Sequence, residues 1–290
     1  MPVAESNTAS TLTRAGLTRI GLTLLALLAF AGNSVLCRLA LKSEAIDPAA
    51  FTLVRLISAA LTLGLLLAWR QGLRRPQGRA LGGALLFLYA IAFSFAYITL
   101  DTGTGALLLF GSVQITMLAL ARWRGQALTV RQLAGSGLAL LGLVVLVWPD
   151  LSLPGLLGSG LMILAGAAWG GYTLLGRGSA DPLGDTAWHF FRTLPWCLGL
   201  ALLSWPYWQG TTEGIVLALI SGAVTSGLGY ALWYRVLPGL GTSTAATVQL
   251  LVPILAALGG SLFAEEPLTL TLLLASLLVL GGLALVIRSK

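Results

Sequence analysis

Charge is what this 290-residue chain has least of: Asp, Glu, Lys and Arg together make up 9 % of it. An average soluble domain carries roughly 25 %. So few charges cannot cover a water-facing surface, and an ordinary cytoplasmic enzyme is excluded. Histidine occurs once, as His189, and cysteine twice, as Cys37 and Cys197, each inside an apolar run and away from any metal-ligand spacing. No metal and no cofactor is expected, and the cysteines read as packing residues. Gly-x-Ser-x-Gly is missing, and all ten acidic residues fall at helix ends or in loops. An intramembrane enzyme would need a nucleophile with its base, or clustered carboxylates, within the apolar runs. Proton and sodium relays rest on buried Asp, Glu or His, so a pathway without ion coupling is expected. Disorder is excluded by the 57 % hydrophobic content.

What is present is a series of long apolar runs. A transmembrane helix takes about 20 residues. Runs at 18–40, 48–69, 79–100, 103–121, 130–148, 155–176, 185–208, 213–234, 242–263 and 268–287 predict an all-α integral membrane protein with ten such helices. Residues 1–16 are polar and Ser/Thr-rich and read as a disordered tail. The connections are short, so consecutive helices run antiparallel and side by side. Of the 17 basic residues, Arg14, Arg19, Arg70, Arg74, Arg75, Arg79, Arg122, Arg124, Arg131, Arg177, Arg235, Arg288 and Lys290 fall on one face. Only Arg38 and Lys42 fall on the other, and Arg55 and Arg192 lie within runs. The bias places both termini in the cytoplasm. It also accounts for the net charge of +7 without nucleic acid. The expected partners are the bilayer and a small molecule, the chain being a monomer or weak dimer.

Two halves echo each other, 17–149 and 150–290. Asp47–Pro48 opens the second run and Asp181–Pro182 introduces the seventh. Val113-Gln114-Ile115 parallels Val248-Gln249-Leu250. Leu128-Thr129, Gly135-Ser136 and Leu141-Gly142-Leu143 parallel Leu268-Thr269, Ala275-Ser276 and Gly281-Gly282-Leu283. A five-helix repeat inserts upside-down relative to its twin, the arrangement of many secondary transporters.

Buried ionisable residues are costly and mark function by default. Arg55 has two readings, capture of a carboxylate by its planar fork and snorkelling to the nearer interface. Arg192 favours the second. His189 stands eight residues beyond its Asp-Pro pair, as Arg55 does. Asn33, Ser112, Gln114, Thr116, Thr247 and Gln249 are polar within apolar runs and need partners across helices or a wet cavity. Gln114 and Gln249 are repeat-related. Tyr89, Phe93 and Tyr97 form one helical stripe, and Trp169, Tyr172, Tyr230, Trp233 and Tyr234 are further candidates for an aromatic wall. Trp148, Trp205, Tyr207 and Trp208 read instead as interfacial belt residues. Pro195 and Pro253 free backbone carbonyls, and Pro253 is the better hinge because it follows Gln249. The candidate substrate-binding set is therefore Asn33, Arg55, Tyr89, Phe93, Gln114, Trp169, Tyr172, His189, Tyr230 and Gln249, with Pro253 as hinge.

Trp169-Gly170-Gly171-Tyr172, Arg55, Pro253 and the turn Phe263-Ala264-Glu265-Glu266-Pro267-Leu268-Thr269 resemble the EamA-type ten-helix branch of the drug/metabolite transporter superfamily. The nearest subgroup looks like the YddG type of bacterial amino-acid exporters. The resemblance implies export of aromatic and other neutral amino acids across the inner membrane through a cavity between helices 1–4 and 6–9. In that arrangement helices 5 and 10 brace the halves. The first half departs from the pattern with Thr116 where many members have proline and Gly125-Gln126 in place of the acidic pair. The rivals are an exporter of another small metabolite or drug and a non-transporting assembly subunit.

Overall fold

The computed structural model describes residues 4–71, 79–125, 127, 129–148, 153–176, 179–236, 240 and 248–288. Among them the chain is helical, in the order α1 (Ala4–Lys42), α2 (Pro48–Gln71), α3 (Ala80–Ala96), α4 (Thr102–Trp123), α5 (Val130–Val147), α6 (Leu153–Gly176), α7 (Pro182–Phe191), α8 (Leu194–Ser204), α9 (Thr212–Ile220), a π-helical segment (Ser221–Leu228), α10 (Gly229–Val236), α11 (Leu251–Phe263) and α12 (Leu270–Ile287). Seven stretches are long and apolar enough to cross a membrane: Leu17–Lys42, Pro48–Arg70, Thr102–Trp123, Val130–Val147, Gly155–Gly176, Thr212–Val236 and Leu270–Ile287. Ala80–Ala96 and Leu251–Phe263 are apolar but shorter.

The expected runs depart from the structure in four places. The first helix begins at Ala4, not at residue 18, because no Pro or Gly interrupts the chain between Pro2 and Gly16. The third ends at Ala96, where Arg38 Nη1 donates to the carbonyls of Tyr97 (3.0 Å) and Ile98 (3.1 Å) and so takes over acceptors at the helix end. The seventh is two helices, broken at Arg192–Thr193. Pro195 has no N–H for the Phe191 carbonyl, and Thr193 Oγ1 donates to the Phe190 carbonyl at 2.7 Å. In the ninth, Val248–Gln249 and α11 are separated by a turn at Leu250. Pro253 removes the N–H that would have bonded the Gln249 carbonyl. The expected start at 242 and Thr247 lie outside the described residues.

Local geometry repeats where the sequence does. Asp47 Oδ1 accepts from the amides of Ala49 (3.0 Å) and Ala50 (2.9 Å), and Asp181 Oδ1 accepts from Gly184 at 3.1 Å, each capping a helix that opens on proline. Thr129 caps α5 by accepting from Gln132, and Thr269 caps α12 by accepting from Leu272. The turns before them pass through left-handed backbone at Gly125 (φ 84°) and Glu265 (φ 53°).

α5 and α12 pack against each other at crossing glycines. A Cβ on Gly135 would strike the Gly282 carbonyl and Val286, and one on Gly282 would strike the Gly135 carbonyl and Ala139. Close backbone approach of this kind is the means by which lipid-immersed helices gain packing energy. Gly137, on the same helix, faces open space. Gly135→Leu is therefore expected to lower the apparent melting temperature in detergent by several degrees, since overpacking costs about 1–3 kcal/mol. Gly137→Ala should leave it unchanged or slightly raised. Equal behaviour of the two variants in a thermal-shift assay would refute this account of the crossing.

Candidate functional site

α1, α3, α4, α6, the π-helical segment, α10 and the turn before α11 surround a small cavity of about 20 Å³, lined by Phe30, Asn33, Ser34, Tyr89, Phe93, Leu109, Phe110, Trp169, Thr225, Tyr230 and Gln249. That is room for about one water molecule, so the lining side chains are closed on one another in this state. Trp169 is its hub. Its ring centroid lies 4.9 Å from that of Tyr89, 5.2 Å from Tyr230 and 5.3 Å from Tyr172. Phe30 meets the Tyr230 edge at 5.7 Å, and Tyr89 meets Phe93 at 5.4 Å. Rings from four helices thus form one wall. Among the described residues no Asp or Glu lines it.

Behind Tyr89 and Phe93 lies Arg55, only 2 % exposed. Its guanidinium carbon stands 5.3 Å from the centre of the Tyr89 ring and 4.9 Å from that of Phe93. Nε donates to Ser226 Oγ at 3.2 Å and Nη2 to Tyr89 Oη at 3.1 Å, while Nη1 is buried with no partner among the described residues. Snorkelling is thereby excluded: the charge is held inside the bundle, not drawn to an interface. Asn33 Nδ2 donates to the same Tyr89 oxygen at 3.4 Å, and Asn33 Oδ1 accepts from Ser221 Oγ at 2.7 Å and Thr225 Oγ1 at 3.4 Å.

The hydroxyls of Ser221, Thr225 and Ser226 reach these partners because the π-helical segment is wider than an α-helix. The Gly229 amide bonds back to the Val224 carbonyl, five residues earlier, the π pattern that recurs at functional sites. Gly222 presses on the Arg55 carbonyl and Ser58, leaving no room for a Cβ.

Of the candidate residues, Asn33, Tyr89, Phe93, Trp169, Tyr230 and Gln249 come together on one cavity, and Arg55 joins them through Tyr89. Tyr172 and His189 form an adjoining pair, Tyr172 Oη 3.3 Å from His189 Nδ1, both buried, with the His189 ring against Gly82. Gln114 is half-buried and off the cavity lining, so the two glutamines are not brought together. Pro253 is buried within the first turn of α11. Arg192 is half-buried with its Cβ against Gly83. Phe30, Ser34, Leu109, Phe110, Ser221, Thr225 and Ser226 were not singled out from the sequence. Three hydroxyls within six residues of an apolar run, Ser221 to Ser226, were a usable signal; Leu109 and Phe110 gave none.

The end of the bundle that carries Asp47, Asp101 and Glu266 is tied by two polar clasps. Arg38 Nε donates to Glu266 Oε1 at 2.9 Å and Nη2 to Asp101 Oδ1 at 3.0 Å, and Glu266 Oε2 accepts from the Thr102 amide at 2.8 Å. Beside it the Asp47 amide donates to the Gln209 carbonyl (2.9 Å) and the Thr211 amide to the Ala45 carbonyl (2.7 Å). Among the described residues no group of three or more His, Cys, Asp or Glu could hold a metal.

Residues 156–288 match the EamA-like transporter family. An uncharacterized protein of Pseudomonas aeruginosa is 53 % identical over 270 residues, covering 92 % of this chain and 93 % of its own. An uncharacterized transporter of Archaeoglobus fulgidus is 28 % identical over 252 residues, covering 81 % of this chain and 85 % of its own. A crystal structure at 20 % identity superimposes with a TM-score of 0.68 over 92 % of this chain and 97 % of that one, which establishes a shared fold.

Proposed function

We propose that this chain, a multi-pass membrane protein whose residues 156–288 match the EamA-like transporter family, exports aromatic and other neutral amino acids across the bacterial inner membrane. Transport runs by alternating access through the aromatic cavity and is driven by the substrate gradient. The observation that carries this reading is a wall of rings deep in the bundle with one guanidinium behind it and no carboxylate on its lining. Rings accept apolar and aromatic side chains by area burial and offset stacking. Among the described residues no carboxylate lines the cavity to bind sodium or pass a proton, and the single histidine on the route, His189, does not by itself make a relay.

The seven long spans, the two shorter apolar helices and the broken α7–α8 pair together support ten crossings. The paired Asp-Pro and Thr caps, and the paired left-handed turns, support two inverted five-helix halves. The basic bias keeps both termini cytoplasmic, so the clasped end faces outward and the cavity is shut on that side. Asn33, Tyr89, Phe93, Trp169, Tyr230 and Gln249 contact the substrate. Tyr172 and His189 lie on its inward route, and the turn at Leu250 beside Pro253 is the hinge. Gln114 stands outside this first set of contacts.

Counterflow of labelled phenylalanine in proteoliposomes tests the reading. Exchange is expected with pH equal on both sides and is unchanged by a protonophore. Absence of exchange with every neutral amino acid would overturn the assigned cargo, and strict dependence on an imposed pH gradient would overturn the absence of coupling.

A further inference from the structure

We propose that Arg55 is a carboxylate-binding residue and that the acid group, not the amino group, is what the site requires of its cargo: aryl and alkyl carboxylates lacking the α-ammonium are also substrates. The proposal rests on the transporter reading and deepens it by naming the recognised group.

A guanidinium has five N–H donors and keeps its charge in a protein. Arg55 has two of them engaged, on the hydroxyls of Ser226 and Tyr89, and Nη1 has no partner among the described residues. None of its described neighbours within 4.0 Å is a carboxylate; the ion pairs formed belong to Arg38. The Tyr89 and Phe93 faces lower the cost of the charge but supply no acceptor. A buried cation left in this condition is strongly destabilising, and a two-oxygen anion is the group that matches its fork. Access is built in: Tyr89, whose hydroxyl occupies Nη2, also lines the cavity, and Asn33 shares that hydroxyl. A carboxylate that displaces the Tyr89 hydroxyl meets Nη1 and Nη2 together, with its apolar tail against Trp169 and Tyr230.

The opposite charge finds nothing comparable. Among the described residues no Asp or Glu lines the cavity, and Glu266 and Asp101 are bound to Arg38 at the clasped end. An α-ammonium there meets ring faces, the amides of Asn33 and Gln249 and the hydroxyls of Ser34 and Thr225, all of them uncharged. The site is thus charge-complementary to the acid and indifferent to the amine.

The test is competition against labelled phenylalanine counterflow in proteoliposomes of the full chain at neutral pH, where 3-phenylpropionate is ionised. 3-Phenylpropionate is expected to compete as well as unlabelled phenylalanine and to exchange itself when labelled. Phenethylamine and phenylalaninamide should be weaker by about a hundredfold or more, as sites built around one polar group reject ligands lacking it. Arg55→Gln should abolish exchange of both acids; Arg55→Lys should recover it in part. The wild-type competition decides the matter even if the Gln variant fails to fold. Competition by phenylalaninamide equal to that of phenylalanine, or full exchange by Arg55→Gln, would overturn the carboxylate site while leaving amino-acid transport standing. Exchange of 3-phenylpropionate without exchange of phenylalanine would uphold the site and overturn the amino-acid reading. Exchange of neither would overturn both.

Discussion

Trp169→Ala is expected to weaken the apparent affinity for phenylalanine by about tenfold or more while the protein still inserts and purifies in folded form. Trp169 makes three ring contacts at 4.9–5.3 Å on the cavity wall, so its removal takes away the surface on which an aromatic cargo would stack and loosens the pose of Tyr89 and Tyr230. A ring pair contributes about 0.5–1.5 kcal/mol beyond area burial, and 1.4 kcal/mol is a factor of ten. Trp169→Phe keeps a face and should retain most of the affinity. Alanine should act differently on cargo classes: the loss is larger for phenylalanine than for alanine, because only the former presents a ring. Counterflow with both amino acids measures the difference. Equal loss for the two would mean that Trp169 acts on the bundle and not on the cargo, and unchanged affinity for phenylalanine would remove it from the site.

Arg38→Met is expected to destabilise the protein more than any single change on the cavity wall. Arg38 serves Glu266, Asp101 and two backbone carbonyls at once, and Glu266 is 6 % exposed. Removing one partner of a buried pair costs about 3–5 kcal/mol because the other charge stays behind, which corresponds to a fall in melting temperature on the order of 10 °C. The double variant Arg38→Met with Glu266→Gln leaves no buried charge at the clasp and should recover more than half of that loss. The clasp joins α1 and the start of α4 to the turn between α11 and α12. Cutting it should also expose the cavity on that side: a Ser34→Cys probe, silent in the parent, should become reactive to an impermeant maleimide added outside. A double variant no more stable than Arg38→Met would show that burial of Glu266 is not what the arginine offsets.

Much of this was readable before any coordinates. The aromatic residues at Tyr89, Phe93, Trp169 and Tyr230 could be placed on the pathway because rings so far inside a span are poorly explained by interfacial belts. Asn33 and Arg55 announced themselves by polarity in apolar surroundings. The choice between snorkelling and burial for Arg55 was not legible, since it depends on what Ser226, 171 residues away, presents to it. Val113-Gln114-Ile115 and Val248-Gln249-Leu250 read alike, yet only Gln249 reaches the cavity; Gln249 stands beside a turn at Leu250, whereas Gln114 lies within the unbroken α4. The ends of the third and seventh helices were missed for one reason: local hydropathy continues through both, and what stops the chain is a distant arginine in one case and a proline's missing amide in the other.

The widened turn of Ser221–Leu228 has a consequence for chain length. α9 and α10 flank it, and the angle between their faces is set by how many residues the segment holds, at about 100° for each one. Deleting a single residue there would preserve composition and hydropathy, yet it would swing Tyr230 and Trp233 from the bundle interior toward lipid and carry Arg235 with them. Identity matters at Ser221, Thr225 and Ser226, whose hydroxyls serve Asn33 and Arg55, and at Gly222 against the Arg55 carbonyl, whereas Ala223 and Val224, which are not buried, tolerate change. The count of residues is a separate constraint, and an insertion or deletion there would disarm the site even with every side chain that lines it kept.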